Sequence, residues 1–248
     1  MSRRYLSLGI LISLFSISAN ALAQQDSKNT EQLKAQVKNA INHIMVTPRE
    51  QWSVNVVNYE NEEGDITSSI EHYTADAVTK NKWQLLRING NTPTQMQQQE
   101  YLEEKQKHAE KKSTGNNHSI NLNKLIKADS LQLTADLPSH AEFAFQVTMK
   151  KLGEDAAGKL SGVLSYNKHH EFIEKITITN NAEFSPMFSA NITDIELTFE
   201  FIKINDAVLP MQQGLNMKGT FAFFTEIDEV STTTFSNYQH KAVTTLAN

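Results

Sequence analysis

The chain has 248 residues, a formal net charge of −5 and no cysteine. The missing cysteine excludes a small disulfide-stapled scaffold and a thiol nucleophile, and the acidic balance excludes nucleic acid and anionic membrane surfaces as electrostatic partners. A chain of this size buries roughly 70% or more of its unfolded surface in one core, so a single core-stabilised domain is expected.

The first residues, MSRRYLSLGILISLFSISANALAQQ, carry Arg3 and Arg4, an apolar run from Tyr5 to Ile17, and Ala21-Leu22-Ala23 before Gln24. A basic start, a short apolar run and a small-x-small site spell a secretory signal peptide over 1–23. Ser7, Ser13, Ser16, Ser18 and Asn20 interrupt the run, which falls short of the roughly 20 apolar residues of a membrane span. Export to the periplasm of a Gram-negative bacterium is expected, with no transmembrane segment in the mature chain. Removing Arg3 and Arg4, and no acid, lowers the formal charge from −5 to −7.

Residues 24–30 form a polar leader before a β-rich domain over 31–240, and 241–248 form a tail. Leu33, Val37, Ala40, Ile41 and Ile44 recur at helical spacing and make one apolar stripe over Glu31 to Met45, which Pro48 terminates. Alternation then predicts strands over Trp52 to Tyr59, Ile66 to Tyr73 and Trp83 to Ile88. Thr92-Pro93-Thr94-Gln95 supplies an N-cap, a first-turn proline and a capping glutamine. The helix it opens, 93–112, is polar almost all round, with Met96, Tyr101 and Leu102 as its sizeable apolar groups; it is expected outside the core, supported by pairs such as Glu103 with Lys107. A short helical turn is expected near Ile120 to Ile126.

The second half reads as an antiparallel meander. Leu131 and Leu133 begin it, Phe143, Phe145, Val147 and Met149 alternate with polar residues, and Gly158 to Tyr166 with Glu171 to Thr179 form a hairpin about NKHH. In ITDIELTFEFIKIN, Ile195, Leu197, Phe199 and Phe201 face one way and Asp194, Glu196, Thr198 and Glu200 the other. NDAVLP is taken as the turn, Leu215, Met217, Phe221 and Phe223 continue on the next strand, and Glu229 to Tyr238 closes the set. Roughly nine strands with one dry face each, and one amphipathic helix, predict a mainly β (α+β) fold. Its form is a long curved antiparallel sheet or incomplete β-barrel wrapped around the N-terminal helix, or a sandwich or barrel that fills itself.

One helix leaves part of such a face uncovered. Phe143, Phe145, Ile195, Leu197, Phe199, Phe201, Leu215, Met217, Phe221 and Phe223 are therefore the candidate lining for an apolar ligand. Phe184, Met187 and Phe188 sit around Pro186, which opposes regular pairing, and are candidates for a rim, a lid or a plug at the end of the core. No catalytic residues, metal ligands or cofactor are expected. His169-His170-Glu171 lies at a turn tip, where a solvated turn outweighs a metal site. The acids of TEIDEV, Glu226, Asp228 and Glu229, read most simply as a charged hairpin turn, and G-x-S-x-G, G-x-G-x-x-G and P-loop patterns are absent.

The order of elements, with GKLSGVLSYNKHHEFIEKITI inside the meander, is similar to periplasmic proteins of the LolA/RseB superfamily, the lipoprotein carriers and lipid-sensing regulators of the envelope. The likeness spans most of the mature chain and rests on the cadence of Leu160 to Ile178. Trp83 to Thr94, of the form W-x-L-L-x-[VI]-N-x-x-x-P-T, and Phe184-Ser185-Pro186 resemble segments of uncharacterised secreted gammaproteobacterial proteins. The resemblance implies an incomplete barrel with a helical lid and a cavity for acyl chains, with Arg87 the positional candidate for a buried arginine and 93–112 an insertion. The expected function is non-catalytic binding of a lipid, a lipoprotein acyl chain or another apolar ligand. The alternative is an envelope protein-interaction or structural module with a filled core, docking through the polar helix.

Overall fold

A computed structural model describes residues 11–75, 81–113, 121–222 and 224–241, with side chains from residue 27 onward except in 111–113. Among the described residues eleven strands form one antiparallel sheet: β1 (Trp52–Glu62), β2 (Asp65–Tyr73), β3 (Trp83–Ile88), β4 (Gln132–Asp136), β5 (His140–Gln146), β6 (Leu160–Asn167), β7 (Phe172–Asn180), β8 (Phe184–Met187), β9 (Ala190–Ile204), β10 (Ala207–Phe221) and β11 (Thr225–His240). Their spatial order is β3-β2-β1-β11-β10-β9-β7-β6-β5-β4, with β8 added beside β9. The sheet is curved and stays open, because β3 and β4 end the order and do not pair with each other. Helices α1 (Leu11–Val46), α2 (Gln95–Ser113) and α3 (Leu122–Leu125) accompany it.

The turns follow from local chemistry. Glu62 faces Asp65 across a two-residue loop, and its residues Glu63 and Gly64 both take positive φ, 54° and 95°. That mirror-image turn matches the twist of the flanking strands and favours a glycine, and the Gly64 amide is held by the Asn61 side chain at 2.9 Å. At the β9–β10 turn only Asn205 and Asp206 lie between paired residues, with Asn205 at φ 53°. The turn is shorter than the six residues of NDAVLP expected from sequence: Ala207 to Pro210 belong to β10, and Val208 and Leu209 are fully buried.

One core cluster joins α1 to the sheet. Leu33, Val37, Ala40, Ile41 and Ile44 of α1 are buried with Phe143 and Phe145 of β5, Leu164 of β6, Ile176 and Ile178 of β7, and Ile195, Phe199 and Phe201 of β9. The stripe read from helical spacing is the face that is buried, and α1 meets the sheet at β7 and β10. The helix is longer than its stripe required, running unbroken from Leu11 through the expected cleavage point after Ala23.

Helix α2 departs from its expected form in two respects. Its capping box lies two residues later: Thr94 Oγ1 accepts the Gln97 amide at 3.3 Å and Gln97 Oε1 accepts the Thr94 amide at 2.8 Å, the reciprocal pair that satisfies two first-turn donors. Glu103 accepts from Gln99 at 3.0 Å instead of pairing with Lys107. None of the helix's described side chains is in the core cluster, as expected, yet its inner side is anchored to the sheet by polar groups described below. No helix among the described residues is long and apolar enough to cross a membrane.

Candidate functional site

Alternation along β9 and β10 puts the candidate lining residues on one face, and the structure divides them into two groups. Phe143, Phe145, Ile195, Phe199 and Phe201 are buried in the core cluster that also holds the α1 stripe. Leu197, Leu215 and Met217 are half-buried at the margin of that core, joined by Ile227 of β11. Register makes them neighbours: Leu215 opposes Leu197, Met217 opposes Ile195, and Ile227 opposes Gly219. The result is an apolar strip along β9, β10 and β11 that the core does not fully enclose. Phe221 lies farther along β10 and is exposed, while Phe223 lies outside the described residues.

The candidate rim also divides. Phe184 is fully buried in the core, whereas Met187 and Phe188 are exposed. The segment is a short strand and not a loop: Phe184 opposes Ile192 and Met187 opposes Ala190, with an irregularity between them where Pro186 lacks an amide to donate. Arg87 is exposed on β3 and donates to Thr92 Oγ1 at 3.0 Å, so it is not a buried cavity arginine.

Beyond the strip, toward β1 and β2, the same face turns polar. Glu71 on β2 is buried; its Oε2 accepts from Lys105 Nζ at 2.7 Å and from the Tyr101 hydroxyl at 3.0 Å, both on α2. Its Oε1 accepts from Asn58 Nδ2 at 3.0 Å and Ser69 Oγ at 3.3 Å, and Lys105 also stands 4.2 Å from the centroid of the Trp83 ring. Burial, and next the Glu71 charge, push the Tyr101 hydroxyl above the usual tyrosine range and keep it a donor. Sequence reading missed this anchor because a single acid on a short strand has no period. The available signal was the four-residue spacing of Tyr101 and Lys105, which places both on one side of a helix.

Glu60, Glu62 and Glu229 bring carboxylate oxygens within 4.8 Å of one another across β1 and β11. Partial burial, then Glu62 and Glu60, raise the Glu229 carboxyl above its ordinary value. The TEIDEV acids therefore lie within β11, not in a turn. A depression of about 330 Å³ beside Glu63, Thr225, Glu226 and Asp228, and another of about 520 Å³ beside His169, His170, Glu171 and Lys203, are both polar. At the second, Asn167 Oδ1 accepts the His169 and His170 amides at 3.0 and 2.8 Å, which makes the histidine pair part of an Asx-type turn as the sequence suggested.

No protein-family model matches the chain, and no curated protein does. Among solved structures, a DUF1329 family protein from Desulfovibrio piger aligns over 85% of this chain and 95% of its own, at 9% identity and a TM-score of 0.30. A likeness at that score carries no argument about what this chain does.

Proposed function

We propose that the chain is an exported, non-catalytic binding protein of the bacterial envelope, taking the acyl part of a lipid or lipoprotein, or a similar apolar ligand, along the strip beside α1. The observation that carries this reading is the half-open row of Leu197, Leu215, Met217 and Ile227, continuous with the core yet not enclosed by it. Its groups are hydrocarbon and thioether, which bind and do not transfer protons. The secretory signal peptide expected from the sequence and the resemblance of the sequence to LolA/RseB proteins support the same reading.

Magnitudes set the ligand's demand. Burying about five methylenes contributes about 4 kcal/mol, enough for millimolar binding, and micromolar binding takes about ten. The strip alone suits the weaker figure, so tight binding requires α1 to shift. Outside its apolar stripe α1 has exposed ties to the sheet side, Lys38 to Asp129 at 3.3 Å and Asn29 to Asp136 at 3.2 Å, which oppose that shift only weakly.

Native mass spectrometry of protein purified gently after export, followed by solvent extraction, tests the proposal. A near-stoichiometric acyl species, lost in Leu215→Glu and Met217→Glu while both variants stay folded, is expected. A bare mass after incubation with phospholipid and lipopeptide refutes it. That result would leave docking through α2, whose outward Gln99, Glu100, Glu103, Glu104 and Lys107 are exposed while its inner side is anchored. Loss of a captured envelope protein on Glu100→Lys with Glu104→Lys would then be expected.

A further inference from the structure

Two turns at one end of the sheet carry the most exposed large apolar side chains of the described residues. Phe188, in the β8–β9 turn, is 96% exposed, and Phe224, in the β10–β11 turn, is 94% exposed. Met187 and Phe221 are exposed beside them. The turns are neighbours: Phe221 opposes Ala190 in the register, and the Ala222 amide donates to the Ser189 carbonyl at 2.6 Å. Each tip is thus tied to the other, and the aromatic groups form a set at one end of the molecule.

Exposed apolar side chains scattered singly need no explanation, whereas a set at one projecting end does. We infer that this end of the sheet is a bilayer-contact site, with Met187, Phe188, Phe221 and Phe224 entering the interfacial layer of a membrane of neutral, zwitterionic lipids. Three observations select that occupant. First, the side chains project from two turns and do not line a groove; a fluid interface fits itself around such projections, whereas a folded partner would need matching pockets. Second, two amides of these turns are paired, Ala222 donating to the Ser189 carbonyl and Phe224 to the Phe221 carbonyl at 3.2 Å, which lowers the cost of entering a poorly hydrated layer. Third, no charged residue lies in 184–192 or 219–225, and the charges around them are Glu183 just before β8, Asp155, which accepts the Ser185 amide at 2.8 Å and pairs with Lys159, Asp194, Glu226, Asp228 and the neighbouring Glu63, against Lys218, Lys150 and Lys151. Anionic headgroups gain little from that balance, and neutral ones meet an uncharged apolar tip.

The site also connects to the strip. Leu215, Met217 and Phe221 occupy alternate positions of β10 and so share one face, forming a row that leads from the half-open margin of the core to the tip. The inference deepens the lipid-binding reading by supplying the place where lipid is met, and it can fail without that reading, since a protein that co-purifies with lipid need not bind vesicles.

The test uses the protein expressed with its own leader and purified after export, mixed with phosphatidylcholine vesicles. Sedimentation with the vesicles is expected, insensitive to salt and weakened roughly tenfold by Phe188→Ser and by Phe224→Ser, each the loss of one inserted ring. A Phe188→Trp variant should show blue-shifted emission quenched by brominated lipid beyond the wild-type background. Both serine variants should keep the wild-type thermal midpoint, because these side chains touch solvent in the folded protein. Three results would overturn the inference: no vesicle binding, binding that requires anionic lipid and disappears in salt, or a wild-type oligomer that Phe188→Ser with Phe224→Ser converts to monomer, which would assign the tips to a second copy of the chain.

Discussion

Replacing Lys105 by methionine removes the charge that faces Glu71 and keeps the aliphatic stem. Glu71 is 8% exposed at its side chain and Lys105 30%, at a separation of 2.7 Å. At an effective dielectric of 20 the pair attracts by about 6 kcal/mol before the cost of desolvating both ions. Breaking a fully buried pair costs about 3–5 kcal/mol because one charge is stranded. Here the lysine is partly solvated and Glu71 keeps three other donors, Tyr101, Asn58 and Ser69. The expected loss is therefore lower, about 2 kcal/mol, close to a hydrogen bond to a charged group. Urea unfolding of wild type, Lys105→Met, Glu71→Gln and the double variant measures it, with a coupling of about 1–2 kcal/mol between the two positions. The undocked α2 should also become a preferred site of proteolysis. A single-variant loss under about 0.5 kcal/mol, or additivity in the cycle, would refute the anchor and return α2 to a free surface helix.

Gly162→Ala should destabilise the protein by about 1–3 kcal/mol in the same unfolding assay, because a Cβ there would lie 2.2 Å from the ring of Phe145, which is itself buried and has little room to turn; an unchanged midpoint would mean that the β5–β6 packing is looser than described. Thr94→Ala should cost about 1 kcal/mol by removing the capping box, and a larger loss from Thr92→Ala would move the cap back to the position expected from sequence. Glu229 has a folded carboxyl raised above its ordinary value, so the folded state holds that proton more tightly, and stability is lost as pH rises through the folded pKa. Glu229→Gln should therefore raise the thermal midpoint at pH 7, an advantage that fades as pH falls through the raised folded pKa and is gone below about 4; an advantage that grows in acid would reverse the assignment.

The β-rich class, the strand that spans Trp83 to Ile88, the apolar stripe of α1 and the dry face of β9 were determined by the sequence itself, because side-chain period is a local property of helix and strand. The partition of the candidate lining was not. Phe199 and Leu215 have the same local pattern, yet the core cluster that α1 joins encloses Phe199 and leaves Leu215 packed at its edge. Phe184 and Phe188 stand four residues apart in one apolar segment, yet pairing with β9 buries the first and leaves the second at a tip. Glu71 became an anchor only when α2 was laid across β2, a contact 30 and 34 residues away along the chain. Periodicity records which way a side chain points relative to its own backbone; what lies opposite it depends on which distant elements the topology brings there.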